Sequence, residues 1–306
     1  MAELRDAGPG GPVERDEVAL PAHAKINVFL RVLGRRDDGY HDLESLILPV
    51  SLSDDVVVRR QPHVSASVRL PDGRPLLLSD PMANLALRAA AEWYEARPGK
   101  EEGASVEVEK RIPVASGLGG GSADAATTLR ALNELWGRPF GAPELAGIGA
   151  RLGSDVPALL DGGPVLVGGR GEIVEPVVVA PMWWVLLPQP FGVRSAEAYA
   201  WWDEEPGSSD RDVAAVLEAA RGGRVERLAR LLFNDLQAPV ARRHAQVQVA
   251  VERLLDAGAL GAAMSGSGPT VAGLVANEED ARRIEDRVPG AIAVTSPPPR
   301  VPSGPA

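Results

Sequence analysis

Cysteine is absent from the 306 residues, which excludes disulfides and thiolate metal sites and fits a reducing compartment. Histidine occurs four times, and no two are spaced as metal ligands. A protein metal site is therefore not expected. No apolar run approaches the length of a membrane span. Residues 1–17 mix charges with Gly8, Pro9, Gly10, Gly11 and Pro12 and lack the apolar core of a signal peptide. They read as a disordered tail, and the location expected is the cytoplasm. Excess positive charge is missing too: the net charge is −10, which argues against nucleic-acid partners, because these need a basic face to displace counterions from phosphates. Lysine is scarce, with only Lys25, Lys100 and Lys110 against 29 arginines. Genome base composition alone can give such a bias, but it makes each lysine a candidate for a place where a compact ammonium is needed instead of a planar guanidinium.

What the chain does have is glycine in a telling place. In Pro113-Val114-Ala115-Ser116-Gly117-Leu118-Gly119-Gly120-Gly121-Ser122-Ala123-Asp124 four glycines in five positions lead into an alanine-rich helix. Glycines let successive backbone N–H groups converge on an anion, and the helix beginning near Ser122 adds its positive dipole end. A polyphosphate is the expected ligand; a loop tight for packing alone is the alternative. A Walker-type loop would carry Lys-Ser or Lys-Thr after its last glycine, and here Ser122-Ala123 follows. A dinucleotide fingerprint needs an acidic residue closing a strand about 20 residues on, where Pro139, Gly141, Pro143 and Gly147 stand instead.

Along the chain, residues 22–32 alternate, with Ala22, Ala24, Ile26, Val28, Leu30 and Val32 on one face and His23, Lys25, Asn27, Phe29 and Arg31 on the other. An Asp38-Gly39 turn follows, then a returning strand over 43–52. A second strand pair is expected at 55–60 and 64–70. Ser79 or Asp80, with Pro81 behind it, caps a helix that buries Met82, Leu85, Ala86, Ala89 and Trp93. A strand over 106–112 feeds the glycine loop, and the helix after it buries Ala126, Leu129, Leu132 and Trp136. A short helix over 143–152 stops at Gly153 and delivers Asp155 to a loop, followed by hairpin strands at 164–167 and 172–177. Beyond Pro176–Pro181 strand and helix alternate: a strand at 183–187, helices at 196–202, 212–220, 225–232 and 240–257, a strand pair at 261–264 and 271–275, a helix at 278–288 and a strand at 291–295. This predicts an α+β protein of two domains, 18–178 and 179–295, with a proline-rich tail over 296–306.

Single residues stay ambiguous at this level. A second small-residue loop, Met264-Ser265-Gly266-Ser267-Gly268-Pro269-Thr270, suits either a fold over phosphate or a bulged turn. Lys25 in an apolar strand needs an anionic partner if buried, and otherwise snorkels from an edge. Asp155 is a base or a turn former. Tyr40 and His41 hold an aromatic ligand or form an ordinary surface pair.

Taken together, these segments resemble a known family. Residues 113–126 and 264–270 are similar to the phosphate loop and third motif of the small-molecule kinase superfamily that includes galactokinase, homoserine kinase, mevalonate kinase and phosphomevalonate kinase. Ala24-Lys25-Ile26-Asn27-Val28-Phe29-Leu30, Gly39-Tyr40-His41-Asp42-Leu43-Glu44 and Gly153-Ser154-Asp155-Val156-Pro157 narrow the likeness to the branch acting on a cytidine diphosphate-linked methylerythritol. The resemblance implies an N-terminal domain like the second domain of ribosomal protein S5, which binds ATP, and a ferredoxin-like C-terminal domain. It implies transfer of the ATP γ-phosphate to the 2-hydroxyl of that substrate, with Mg²⁺, in the non-mevalonate route to isoprenoids, by a monomer or weak homodimer. Lys25 and Asp155 match the catalytic pair. Asn84, Lys110, Pro113, Ser116, Gly117, Leu118, Gly119, Gly120, Gly121, Ser122, Gly266, Ser267 and Gly268 match the ATP site, and Asn27, Tyr40, His41 and Tyr199 the substrate site. The loop's usual second serine is Ala123 here. The Gly39-Tyr40-His41 segment argues against another alcohol substrate, and the presence of both Lys25 and Asp155 against a non-catalytic sensor.

Overall fold

A computed structural model of the chain describes residues 16–76, 83–97, 102–207 and 210–298. The expected cap at Ser79, Asp80 and Pro81, buried Met82, Lys100, and most of both tails lie outside the described residues. Of those tails, Glu17 opens the first strand and Ser296 closes the last, with its buried hydroxyl donating to Pro49 O at 2.7 Å.

Two long strands, β1 (Glu17–Arg35) and β2 (His41–Gln61), form the spine as an antiparallel hairpin. Valines on the second half of β2 and on β4 (Gly103–Glu109) pair these strands, with Val56 opposite Val108 and Val58 opposite Val106. β3 (Ser65–Arg69) then lies parallel to β4 at the sheet edge. The expected pairing of 55–60 with 64–70 therefore does not form. The more apolar β4 takes the place beside β2, and β3, exposed at alternate residues, is left outside. β5 (Val165–Gly168) joins the first half of β2 and β6 (Ile173–Pro176) pairs with it.

The strict alternation expected in β1 also breaks. Its register against β2 shifts between His23 and Lys25, Asn27 and Phe29, and Val32 and Gly34. Bulges of this kind re-aim side chains, so adjacent Val28 and Phe29 are both buried in one core.

Helices α1 (Leu85–Ala96), α2 (Gly120–Leu135), α3 (Ala142–Leu152) and the single turn α4 (Val156–Leu159) pack on this sheet, with Trp93, Leu129 and Leu132 at the centre. The cap of α1 is Asn84, whose Oδ1 accepts from Ala86 N at 3.0 Å and Leu87 N at 3.3 Å. Trp136 is only half-buried, held between the guanidiniums of Arg60 and Arg97 at 4.1 and 4.0 Å from its ring.

A second sheet, ordered β11 (Ile292–Ser296), β7 (Met182–Leu187), β10 (Val271–Val275), β9 (Gly261–Met264), follows in the chain. Alternate side chains of β7 point two ways: Met182, Trp184 and Leu186 join Ile26, Val28 and Leu48 of the first sheet in a shared core, while Val185 and Leu187 face α5 (Ser195–Glu204), α8 (Gln237–Arg243), α9 (Gln246–Asp256) and α10 (Glu278–Arg287). α6 (Val213–Arg221) and α7 (Val225–Ala229) cover the shared core. The single helix expected over 240–257 is two, because the backbone leaves the helical region at His244 (φ −132°, ψ 81°). A two-residue strand not foreseen, β8 (Phe233–Asn234), pairs parallel with Phe29 and Leu30.

Candidate active site

The start of α2 lies open to an anion. No side chain caps it, and Gly119 before it is left-handed (φ 69°), so its first amides are uncommitted to any capping group. The glycines answer to crowding as well as to a ligand. A Cβ on Gly117 would come within 2.3 Å of Ser265 O, and one on Gly119 within 2.8 Å of Lys25 Cγ. The two small-residue loops are clasped together: Thr270 N donates to Ser116 O at 3.1 Å and Ser265 Oγ to Gly117 O at 3.2 Å. Asn234 of β8 fixes the second loop from behind, donating to Met264 O at 2.7 Å and Gly266 O at 2.8 Å.

A cavity of about 850 Å³ lies over both loops. Its wall includes Pro113, Ser116, Gly117, Gly119, Gly120, Gly121 and Ser122 from the first loop and Gly266 and Ser267 from the second. Two expected loop residues are placed differently. The Leu118 side chain is buried in the shared core, and its carbonyl accepts from Lys25 N at 2.9 Å. Gly268 sits behind the wall, its N–H donating to Ser265 O at 2.9 Å. Asn84 reaches the wall with its oxygen committed to the α1 cap, and its NH₂ is the donor group of the side chain.

Lys25 is almost fully buried at the foot of the cavity, and its Nζ donates to Asn27 Oδ1 at 2.7 Å. Burial pulls the ammonium below the usual lysine range, and the negative charge of Asp155 offsets part of that. Asn27 is oriented in turn by donating to Ser45 Oγ at 2.8 Å, and Ser45 Oγ donates to Phe29 O at 2.5 Å. Asp155 precedes α4 on the cavity wall, and its carboxylate makes no capping bond. It is thus free for other chemistry than ending a turn.

Lys110 is held differently. Its Nζ lies 2.5 Å from Asp54 Oδ2 and 2.7 Å from Asp124 Oδ2, all three side chains being buried. Burial lowers the Lys110 ammonium, but the charges of Asp124 and Asp54 outweigh it and hold the group above its ordinary value. Burial pushes the Asp124 carboxyl up to about 7; Lys110 opposes this and the charge of Asp54 adds to it. Asp54 also accepts from Arg111 N at 2.5 Å and Ile112 N at 2.8 Å, so it ties β2 to the segment that follows β4, and Lys110 carries the link on to Asp124 of α2. Among the described residues Asp124 Oδ1 has no hydrogen-bond partner.

At the far end of the cavity stand Tyr40, His41 and Tyr199. The rings of His41 and Tyr199 stack at 4.8 Å with 23° between planes, so one face of Tyr199 is already covered. Trp202 meets His41 edge-on at 5.7 Å, and Asp203 Oδ1 lies 2.7 Å from His41 Nε2. Burial pushes the Tyr199 phenol up, and the charge of Asp155 adds to this. Tyr40 is exposed and covered by the Arg170 guanidinium at 4.7 Å. Arg35, Arg170 and Arg194 also line the cavity, which gives an acidic chain a locally cationic site.

Sequence reading missed Asp54, Asp124, Ser45, Asn234 and Asp203. An aspartate inside an otherwise small and apolar helix start was a usable signal for Asp124. Nothing local marks Asp54 or Asp203, whose partners lie 56 and 162 residues away.

Comparison with known proteins agrees with this arrangement. Residues 84–163 match the family described as GHMP kinases N terminal domain, and residues 216–293 match GHMP kinases C terminal. The chain is 41% identical over 271 residues to 4-diphosphocytidyl-2-C-methyl-D-erythritol kinase of Symbiobacterium thermophilum, covering 88% of this chain and 94% of that protein. It is also 41% identical over 276 residues to the protein of that name from a Synechococcus species, covering 87% and 88%. A crystal structure of 4-(cytidine 5'-diphospho)-2C-methyl-D-erythritol kinase superposes with a TM-score of 0.76 at 34% identity, covering 91% of this chain and 99% of the other. Homoserine kinase from Cytophaga hutchinsonii, at 21% identity and a TM-score of 0.70, shares the fold. With the expected two-domain kinase fold present and relatives alike over nearly their whole length, the chain belongs to the 4-diphosphocytidyl-2-C-methyl-D-erythritol kinase family of the GHMP kinases.

Proposed function

We propose that this protein transfers the γ-phosphate of ATP to the 2-hydroxyl of 4-diphosphocytidyl-2-C-methyl-D-erythritol, in the non-mevalonate route to isoprenoid precursors. The observation that carries the reading is one cavity with three zones: uncapped helix amides over a glycine loop, the Lys25–Asn27 pair facing Asp155, and an aromatic end built on His41. These suit triphosphate, reacting hydroxyl and base in that order.

Phosphoryl transfer has a loose transition state, so alignment and charge neutralisation matter more than a strong base. Asp155 accepts the hydrogen bond of the 2-hydroxyl and aims its oxygen at the γ-phosphorus. As the new P–O bond forms and the bond to the β-phosphate oxygen breaks, Asp155 takes the hydroxyl proton and ADP leaves. The Lys25 ammonium neutralises charge on the transferring group, and it costs little reorganisation because Asn27 and the Leu118 carbonyl already fix its strand. Asn84, Pro113, Ser116, Gly117, Gly119, Gly120, Gly121, Ser122, Gly266 and Ser267 form the nucleotide side, braced by Leu118, Gly268 and the ion pairs of Lys110; Asn27, Tyr40, His41 and Tyr199 form the substrate side.

Mg²⁺ takes oxygen ligands, few of them from protein when phosphates are present. Among the described residues no three carboxylates or imidazoles gather as a metal site. Ser122 and Asp124, the latter with its orphan Oδ1, are oxygen donors on the cavity wall and fit an ion brought in with ATP. When bound it would neutralise phosphate charge. The proposal further takes residues 18–178 and 179–295 as the two domains and a cytoplasmic monomer or weak homodimer as the working form.

The test is ADP release with ATP and a panel of alcohols. Turnover is expected with the cytidine diphosphate-linked methylerythritol, and none with free methylerythritol, galactose, homoserine or mevalonate. Efficient use of any of those four would overturn the assignment.

A further inference from the structure

The aromatic end contains a carboxylate that reaches no reacting atom. We propose that Asp203 is a positioning residue that sets the tautomer of His41 and, through it, the choice of pyrimidine base. The inference rests on reading the cavity as a cytidine site. An ionised carboxylate only accepts hydrogen bonds, so at 2.7 Å from Asp203 Oδ1 the Nε2 of His41 carries the hydrogen. Whenever the ring is neutral, Nδ1 is then an acceptor. It has no hydrogen-bond partner among the described residues and is not among the buried polar atoms left unpaired, so it stands open beside the cavity that His41 lines.

The plane of the ring is fixed by packing on two sides. Tyr199 covers one face at 4.8 Å and Trp202 abuts it at 5.7 Å. Tyr199 and Asp203 lie four residues apart on α5, on one side of the helix, so stacking ring and accepting carboxylate arrive as one unit. Asp203 is itself steadied, its Oδ2 lying 3.5 Å from an Arg35 guanidinium nitrogen. Cytosine presents an amino donor where uracil presents a carbonyl acceptor. An Nδ1 acceptor therefore pairs with cytosine and faces uracil lone pair to lone pair, leaving a desolvated polar group unpaired. Stacking alone accepts either base.

Asp203→Asn is the direct probe, because the amide has nearly the same shape but can donate to Nε2 and so admits the Nδ1–H tautomer. Three readouts are made on the full chain: kcat and KM for the cytidine compound and its uridine analogue, KM for ATP, and the ¹⁵N imidazole spectrum of His41. The expected result is an Nε2–H tautomer in the wild type that is lost or mixed in the variant. The cytidine-to-uridine ratio of kcat/KM should fall at least about tenfold, mainly through KM, with KM for ATP unchanged and partial rescue by Asp203→Glu. A wild-type Nδ1–H tautomer, or an unchanged ratio in Asp203→Asn, would overturn the proposal. Wild-type protein that turns over neither compound would overturn the cytidine reading of the cavity, while the spectrum, needing no substrate, still decides what Asp203 does to His41.

Discussion

Lys25 and Lys110 stand on either side of the first glycine loop, both nearly out of solvent, yet their surroundings treat the same ammonium in opposite ways. Lys25 has a neutral partner, Asn27 Oδ1, and only a partial offset from Asp155; burial draws its affinity for the proton down. Lys110 has two carboxylates within 2.7 Å, and they hold its proton on. The difference shows how one residue type serves two ends. A buried charge whose counter-charge is spent inside the protein ties elements together, here β2, β4 and α2. A buried charge left short of counter-charge is poised for an anion that arrives later, and the nucleotide phosphates supply what the protein withholds.

That contrast can be broken most forcefully at Lys110. Lys110→Met would strand two buried carboxylates, and loss of one partner of a buried ion pair costs about 3–5 kcal/mol. A urea midpoint lowered to match is expected, and unchanged stability would show that Lys110 does not bind the sheet to α2. Next in size is Asp155→Asn, which keeps shape but removes the acceptor for the hydroxyl proton. Turnover should fall at least about 10²-fold with the unfolding midpoint held, on the scale of one electrostatic group in a transition state; near-normal turnover would remove Asp155 from the chemistry.

A smaller effect sharpens the Lys110 side. The Asp124 carboxyl, raised from 3.8 to about 7 in the folded protein, binds more protons folded than unfolded across that window. Its contribution to stability is full below 3.8 and lost as pH rises through about 7. Between pH 5 and pH 8 the wild-type urea midpoint should therefore drop more than that of Asp124→Asn. Parallel pH profiles would mean that Asp124 titrates in its ordinary range.

The sequence made one half of this comparison readable and hid the other. Lys25 was a candidate because a buried charge in an apolar strand needs an anionic partner, although an edge lysine that snorkels fitted the pattern as well, and the glycine loop stood out because it packs four glycines into five positions. The hairpin of β1 and β2 and most helices followed from periodicity. What failed had non-local causes. β3 was displaced to the edge because β4, some forty residues on, competed better for β2, and the bulges of β1 depend on its partner strand. Asp54 carries no local mark, and only folding shows that Lys110 comes to it. Asp203 drew no attention in the sequence because its partner, His41, lies 162 residues earlier.

Lys25→Met, assayed for turnover and thermal stability on one preparation, tests the contrast most directly. An ammonium whose affinity for protons is lowered by folding costs stability at neutral pH, and that cost shrinks as pH rises toward its ordinary value of 10.5. Methionine removes the charge and keeps much of the volume. Turnover at least about 10²-fold lower, with a Tm equal to or above that of the wild type, is the predicted result. A Tm several degrees lower with turnover close to wild type would mean that Lys25 is a structural lysine like Lys110, and would contradict the account.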